Sequence, residues 1–102
     1  ISGVMFTKNP VTGDDTIVIE SVLGLGEKLV QGEVTPSQLI INKNTLIIEN
    51  KIGKEMLSNK EIETLSKIGL DIERIYKAAQ DIEWSIKDGE IYILQTRNIT
   101  TL

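Results

Sequence analysis

The stretch Gln80-Asp81-Ile82-Glu83-Trp84-Ser85-Ile86-Lys87-Asp88-Gly89-Glu90-Ile91-Tyr92-Ile93-Leu94-Gln95-Thr96-Arg97 decides how this chain is read. Its first half alternates polar and apolar residues with period two. In a strand that alternation sends Asp81, Glu83 and Ser85 to one face and Ile82, Trp84 and Ile86 to the other. Asp88-Gly89 is a favoured tight-turn dipeptide, so a second strand, Ile91 to Arg97, returns beside the first. A two-residue turn sets Glu83 opposite Leu94, whereas a three-residue loop, Asp88-Gly89-Glu90, sets Glu83 opposite Gln95 and Asp81 opposite Arg97. Apolar sorting favours the three-residue loop. It gathers Ile82, Trp84, Ile86, Tyr92 and Leu94 on one face and leaves Asp81, Glu83, Gln95 and Arg97 on the other.

That polar face would hold two carboxylates, an amide oxygen and a guanidinium. Carboxylate and amide oxygens are hard ligands suited to Mg²⁺, which takes one or two protein carboxylates beside phosphate oxygens and water. The planar fork of Arg97 suits a phosphate. The same pattern also describes an exposed strand face with two cross-strand pairs, each worth a few tenths of a kcal/mol. Spacing alone does not separate these two meanings. Gly24-Leu25-Gly26-Glu27 could present backbone N–H groups to an anion or simply turn the chain from strand to helix. Lys8, after the first apolar run, could meet a phosphate or be a solvated surface lysine.

Working back toward the N-terminus, Ser2 to Thr7 and Thr16 to Val22 are strand-like runs separated by the turn residues Asn9-Pro10 and Thr12-Gly13-Asp14-Asp15. They predict a hairpin with a loop of about eight residues. The near-continuous apolarity of Ile17-Val18-Ile19 predicts a strand buried on both faces. Glu27 to Gln31 has the length for one or two helical turns before Gly32. Gln38 to Asn42 and Thr45 to Glu49 flank Lys43-Asn44 and predict a second hairpin with a two-residue turn. Ser58 and Glu61 form a capping box, and Ile62, Leu65, Ile68, Ile72 and Ile75 recur at helical spacing, which predicts a helix from Asn59 to Lys77. Gly69 within it predicts either a close helix-to-sheet contact or a kink. The fold class expected is α+β, with antiparallel hairpins packed on one long helix.

Composition bounds the chemistry. The chain has 102 residues, 40% hydrophobic and 25% charged, with 11 Lys+Arg against 15 Asp+Glu and a net charge of −4. That length suits a single domain, here residues 1–102. The acidic balance and scattered lysines argue against nucleic acid, which needs clustered cations to displace counterions. With no Cys and no His, thiolate, imidazole and phosphohistidine chemistry cannot come from these residues. No apolar run approaches a membrane span, and no membrane partner is expected. A cytoplasmic location is the expectation. The opening at Ile1, directly into a strand, reads as a fragment of a longer polypeptide.

Three ordered blocks carry a resemblance. Ser2-Gly3-Val4-Met5-Phe6-Thr7-x-Asn9-Pro10-Val11-Thr12-Gly13 is similar to a signature in the nucleotide-binding domain of phosphoenolpyruvate synthases, and related versions occur in pyruvate phosphate dikinases and rifampicin phosphotransferases. Ile19-Glu20-Ser21-Val22-x-Gly24-Leu25-Gly26-Glu27-x-Leu29-Val30-Gln31-Gly32-x-Val34-Thr35-Pro36 resembles a second block. Gln80-Asp81-Ile82-Glu83-Trp84 with Ile93-Leu94-Gln95-Thr96-Arg97 resembles a third. The resemblance implies the C-terminal subdomain of an ATP-grasp-like fold, one half of a clamp on ATP. It implies that Glu83 and Gln95 hold Mg²⁺ against the ATP phosphates with Asp81 close by. Arg97 would be catalytic on the transferred phosphoryl group, and Glu27 would face the nucleotide. The reaction implied passes a phosphoryl group from ATP to a histidine on another domain and then to pyruvate. The implied partners are the N-terminal half of the ATP-binding domain, a phosphohistidine domain and a pyruvate-binding domain of the parent chain, and the isolated segment is expected to be inactive.

Three departures stand against the resemblance. Tyr76-Lys77-Ala78-Ala79 occupies the place of Tyr-Gly-x-Pro, which changes the helix exit and could shift the next strand. Asn98 stands where synthases commonly carry Pro. The linker between Glu55 and Ser58 is short, as though a loop were lost. A non-catalytic relic of the fold and the ATP-binding part of an antibiotic phosphotransferase therefore stay open as alternatives.

Overall fold

In a computed structural model, described here for residues 1–23 and 36–99, the first strand sits between two others and joins the two ends of the chain. Strand β1 (Ser2–Phe6) pairs antiparallel with β2 (Thr16–Val22) on one side and with β5 (Gln80–Lys87) on the other. Strands β3 (Ser37–Asn42) and β4 (Ile48–Ile52) extend the sheet beyond β2, and β6 (Glu90–Asn98) extends it beyond β5. The result is a six-stranded sheet in the order β4-β3-β2-β1-β5-β6, with every pairing antiparallel. One helix, α1 (Asn59–Tyr76), covers one face. The architecture is α+β, as the sequence predicts.

Period-two alternation divides the sheet into a helix-facing side and an open side. Met5, Ile17, Ile19, Ile41, Ile82 and Trp84 face the helix and form the core with Ile62 and Leu65 of α1. Among these eight, every residue except Ile62 is fully buried. At roughly 1.5–3 kcal/mol per buried side chain of this size, the layer is the main attractive term holding helix to sheet. Strand β2 is also buried at Val18 and Val22 on its other side, so the expectation of burial on both faces holds.

Helix α1 begins as read. The Ser58 hydroxyl accepts from the Glu61 backbone N–H at 3.1 Å, and the Glu61 carboxylate accepts from the Ser58 N–H at 2.8 Å. It ends at Tyr76 with Lys77 as a left-handed cap, φ 57°, whose N–H bonds to the Glu73 carbonyl. That turn is the one a glycine makes easily, so replacing Tyr-Gly-x-Pro leaves the exit in place, and β5 starts at Gln80. The apolar stripe is narrower than predicted: Ile75 is 73% exposed. Small residues replace it in the contact, because Ser66 and Gly69 are buried. Gly69 makes the close approach and not a kink, with a Cβ there falling 3.0 Å from the Met5 Sδ and Cε.

The β3–β4 connection differs from the sequence-based expectation. The β3–β4 turn is longer than two residues, and β4 starts at Ile48 instead of Thr45. The Asn42 side-chain oxygen accepts from the N–H groups of Asn44 and Thr45, and Leu46 takes a left-handed φ of 60°. Those bonds satisfy the turn locally and delay the second strand. The β1–β2 loop has a similar device, in which the Asn9 side chain accepts from Val11 and Thr12 and the Gly13 N–H donates to the Asn9 carbonyl. The helical turns predicted at Glu27 to Gln31 lie outside the described residues. Among the described residues, no helix is long and apolar enough to cross a membrane.

Three glycine-related substitutions follow from this packing. A Cβ on Gly3 would fall 1.8 Å from the Glu20 carbonyl oxygen and 2.9 Å from the Trp84 ring, so Gly3→Ala is expected to cost about 3 kcal/mol. Gly69→Ala meets only the end of the pliant Met5 side chain and gains helix propensity, so it should stay within about 1 kcal/mol of wild type. Lys77→Gly should raise stability by up to about 1 kcal/mol by relieving the left-handed conformation. Urea denaturation of each variant reads all three.

Candidate phosphate and metal site on the open sheet face

The site is assembled by the β5–β6 hairpin, whose register arises differently from the expectation. Lys87 pairs with Glu90, so the turn is two residues long, Asp88-Gly89, both at positive φ. The three-residue loop predicted from apolar sorting is not formed. A two-residue turn alone would set Glu83 opposite Leu94. Instead the register shifts between Glu83 and Trp84, where β6 accommodates one extra residue as a bulge. Past the bulge Glu83 lies opposite Gln95 and Asp81 opposite Arg97. The pairing predicted is therefore present, produced by a bulge and not by the loop. The apolar partners change accordingly. Trp84 pairs with Ile93 and Ile86 with Ile91, while Tyr92 lies opposite Ser85 on the polar side. Tyr92 and Leu94, predicted for the helix-facing side, are 49% and 63% exposed.

The open face carries these groups in transverse rows. One row runs Gln38, Glu20, Val4, Glu83, Gln95 across five strands, and the next runs Ile40, Val18, Phe6, Asp81, Arg97. Arg97 Nε donates to Asp81 Oδ2 at 3.1 Å, with the Asp81 side chain 19% exposed and that of Arg97 71% exposed. Within the described residues its terminal Nη nitrogens make no hydrogen bond. The guanidinium is thus oriented by one carboxylate and still has donors for an anion. Glu83 is half-buried and Gln95 exposed, and direct opposition puts their Cβ atoms about 5 Å apart.

Glu20 belongs to this face and was passed over in the sequence. It is half-buried, its Oε2 accepts from Gln38 Nε2 at 3.1 Å, and Val4 alone separates it from Glu83 along the row. Two strand spacings put the Glu20 and Glu83 backbones roughly 10 Å apart. The signal was present: an acid inside an otherwise apolar strand that is buried on both sides. Lys8 follows β1 at the end of the sheet where Asp81 and Arg97 lie, since the Thr7 N–H bonds to the Gln80 carbonyl. Glu27 and the Gly24-Leu25-Gly26 turn lie outside the described residues.

Among the described residues no three His, Cys, Asp or Glu side chains form a group that could hold a metal ion. A Glu–Gln pair nonetheless matches an ion that takes few protein ligands and completes its shell with phosphate and water. A cavity on the helix side, lined by Ser21, Ser37, Lys51 and Leu57 among others, has a volume of ≈ 40 Å³. That space suits a water molecule and excludes a nucleotide; the larger, more open hollows beside the start of α1 are lined by none of Asp81, Glu83, Gln95 or Arg97.

The chain is similar to known proteins along its whole length. The family described as "Pyruvate phosphate dikinase, AMP/ATP-binding domain" matches residues 1–58 and 47–102. Over 99% of its length the chain is 40% identical to a "Probable phosphoenolpyruvate synthase" of Methanocaldococcus jannaschii, covering 11% of that protein. It is 36% identical over 99% of its length to a "Phosphoenolpyruvate synthase" of Pyrococcus furiosus, covering 17% of it. An "Uncharacterized phosphotransferase YvkC" of Bacillus subtilis is 36% identical across the whole chain, which covers 15% of that protein. The alignment with the Methanocaldococcus protein extends over 128 positions against 102 residues here, and the two family matches overlap at 47–58, the region of the short linker. The chain spans only 11 to 17% of the length of these relatives. By family match and identity along its whole length, this chain belongs to the pyruvate phosphate dikinase AMP/ATP-binding domain family.

Proposed function

We propose that this chain is the Mg·ATP-holding part of a phosphoenolpyruvate synthase-like phosphotransferase, one domain portion of a longer polypeptide. The observation that carries the proposal is the opposition of Glu83 to Gln95 and of Asp81 to Arg97 on the uncovered face of the sheet. Glu83 and Gln95 would hold Mg²⁺ through their side-chain oxygens, and Glu20, in the same row, adds a further carboxylate. Arg97, steadied by Asp81, would meet the phosphoryl group in transit, and Glu27 would face the nucleotide. The open sheet is one wall of an ATP-grasp-like cleft, and the N-terminal half of the ATP-binding domain would supply the other.

Phosphoryl transfer depends chiefly on positioning and charge neutralisation. In the overall step a P–O bond of ATP breaks as a P–N bond to a histidine forms, and the phosphoryl group then passes to an oxygen of pyruvate. Bound Mg²⁺ supplies Lewis-acid neutralisation of the phosphate oxygens. Glu83 and Gln95 contribute hard oxygen donors at a fixed spacing. Arg97 contributes a permanent positive charge with outward N–H donors, and Asp81 limits its rotamers. The chain has no His, so the phosphohistidine must lie on a partner domain, and this segment by itself would not turn over.

In the full-length polypeptide, Glu83→Ala and Arg97→Ala are each expected to reduce ATP-dependent phosphoryl transfer roughly a hundredfold, the scale for losing one preorganised charge-stabilising group. The Glu83→Ala loss should be partly offset by raised Mg²⁺, and the Arg97→Ala loss should not. Transfer of ³²P from ATP, with melting curves to check folding, is the measurement. Unchanged transfer in both folded variants would reduce the chain to a structural relic of the fold.

A further inference from the structure

Gln80, the first residue of β5, is completely buried, and its side chain is fully hydrogen bonded. One N–H of the amide donates to Asn98 Oδ1 at 2.6 Å and the other is shared between the Ala78 carbonyl at 3.1 Å and the Ala79 carbonyl at 3.3 Å. The amide oxygen accepts from the Thr96 hydroxyl at 2.8 Å. Its backbone is held as well, with the N–H donating to the Thr7 hydroxyl at 2.8 Å and the carbonyl accepting from the Thr7 N–H at 3.0 Å. The Thr7 hydroxyl in turn donates to Glu73 of α1 at 2.8 Å.

The partners on β6 give this network its meaning. Thr96 and Asn98 are the two neighbours of Arg97 in sequence, and alternation places their side chains on the face opposite to its own. Arg97 lies on an edge strand, just past the bulge that interrupts the ladder. Its own side chain is mostly exposed and has one described bond. Its placement therefore depends on the β6 backbone, and the side chains of the residues on both sides of Arg97 are held from behind by one buried amide. A fully satisfied buried amide admits few arrangements, because displacing it strands polar groups away from water.

We propose that Gln80 is a positioning residue for the phosphoryl site: by holding Thr96 and Asn98 it fixes the β6 backbone around Arg97 and so sets the guanidinium against Asp81 and the incoming phosphate. This rests on the phosphotransferase function proposed above. Gln80 touches no substrate. It acts through Arg97, so its effect should exist only while Arg97 is present.

The test is a double-mutant cycle in the full-length polypeptide. Thr96→Val keeps the side-chain shape and removes the donor to the Gln80 amide oxygen, and Gln80→Leu removes the whole grip. Thr96→Val serves where Gln80→Leu does not fold. Each should lower phosphoryl transfer roughly tenfold in kcat with little change in KM for ATP, the scale of one or two lost buried hydrogen bonds. In an Arg97→Ala background the same substitutions should cost less than about twofold. Hydrogen exchange of the peptide covering residues 95–98, measured without nucleotide, should rise while that of β2 and β3 stays constant. Losses that multiply fully with Arg97→Ala, or exchange that rises uniformly over the sheet, would make Gln80 an ordinary core residue and overturn the proposal. If Arg97→Ala by itself leaves transfer intact, the phosphotransferase site fails and the role of Gln80 fails with it. An Arg97 effect with additive Gln80 losses sinks only the latter.

Discussion

The approach of the Trp84 ring to Gly3 is the constraint on which the rest of the sheet depends. In the sheet, strand β1 joins the β2–β3–β4 meander to the β5–β6 hairpin, and Gly3, its second residue, lies opposite Ser21 on one side and Trp84 on the other. A side chain at that position would strike both the Glu20 carbonyl and the indole. Its absence lets the largest core side chain lie across the joint, where burying an indole contributes more apolar contact than any other residue type could. The two halves of the polar face, Glu20 with Gln38 and Glu83 with Gln95, keep their common row because β1 is clamped in this way.

Division of labour between the two faces follows from the same alternation. The helix-facing side is apolar and close-packed, with Gly69 and Ser66 letting α1 sit low over Met5 and Thr7. The open side can then carry charge without desolvating it, since each acid keeps either solvent or a partner. Gln80, Thr7 and Thr96 form one continuous network behind β6, whereas Trp84 Nε1 and Thr16 Oγ1 are buried without a hydrogen-bond partner. The exposed groups that would handle phosphate rest on a strand whose rear is held rigidly.

Much of this was legible in the sequence, and the failures have physical causes. The helix, its capping box and the strands β1, β2 and β5 could be read because period and cap chemistry act locally. The opposition of Glu83 to Gln95 was anticipated for a mistaken reason, because apolar sorting cannot distinguish a longer loop from a bulge. Strand β4 was set three residues early, since the Asn42 side chain, and not a backbone turn type, governs that connection. Ile75 obeyed helical periodicity but overran the edge of the sheet it was expected to cover. Glu20 escaped notice because its importance comes from the neighbours that β1 brings to it, and pairing across non-consecutive strands leaves no trace in local pattern.

The bulge in β6 also determines how distances along this hairpin should be counted. Because one residue is looped out between the turn and the polar pairs, the number of residues separating Asp88-Gly89 from Gln95 is not the number separating it from Glu83. Tip and polar pairs are geometrically uncoupled. A ruler laid from the turn misplaces Gln95 and Arg97 by one position and sends them to the wrong side of the sheet. A ruler laid from Gln80, whose amide touches the side chains on either side of Arg97, finds them at once.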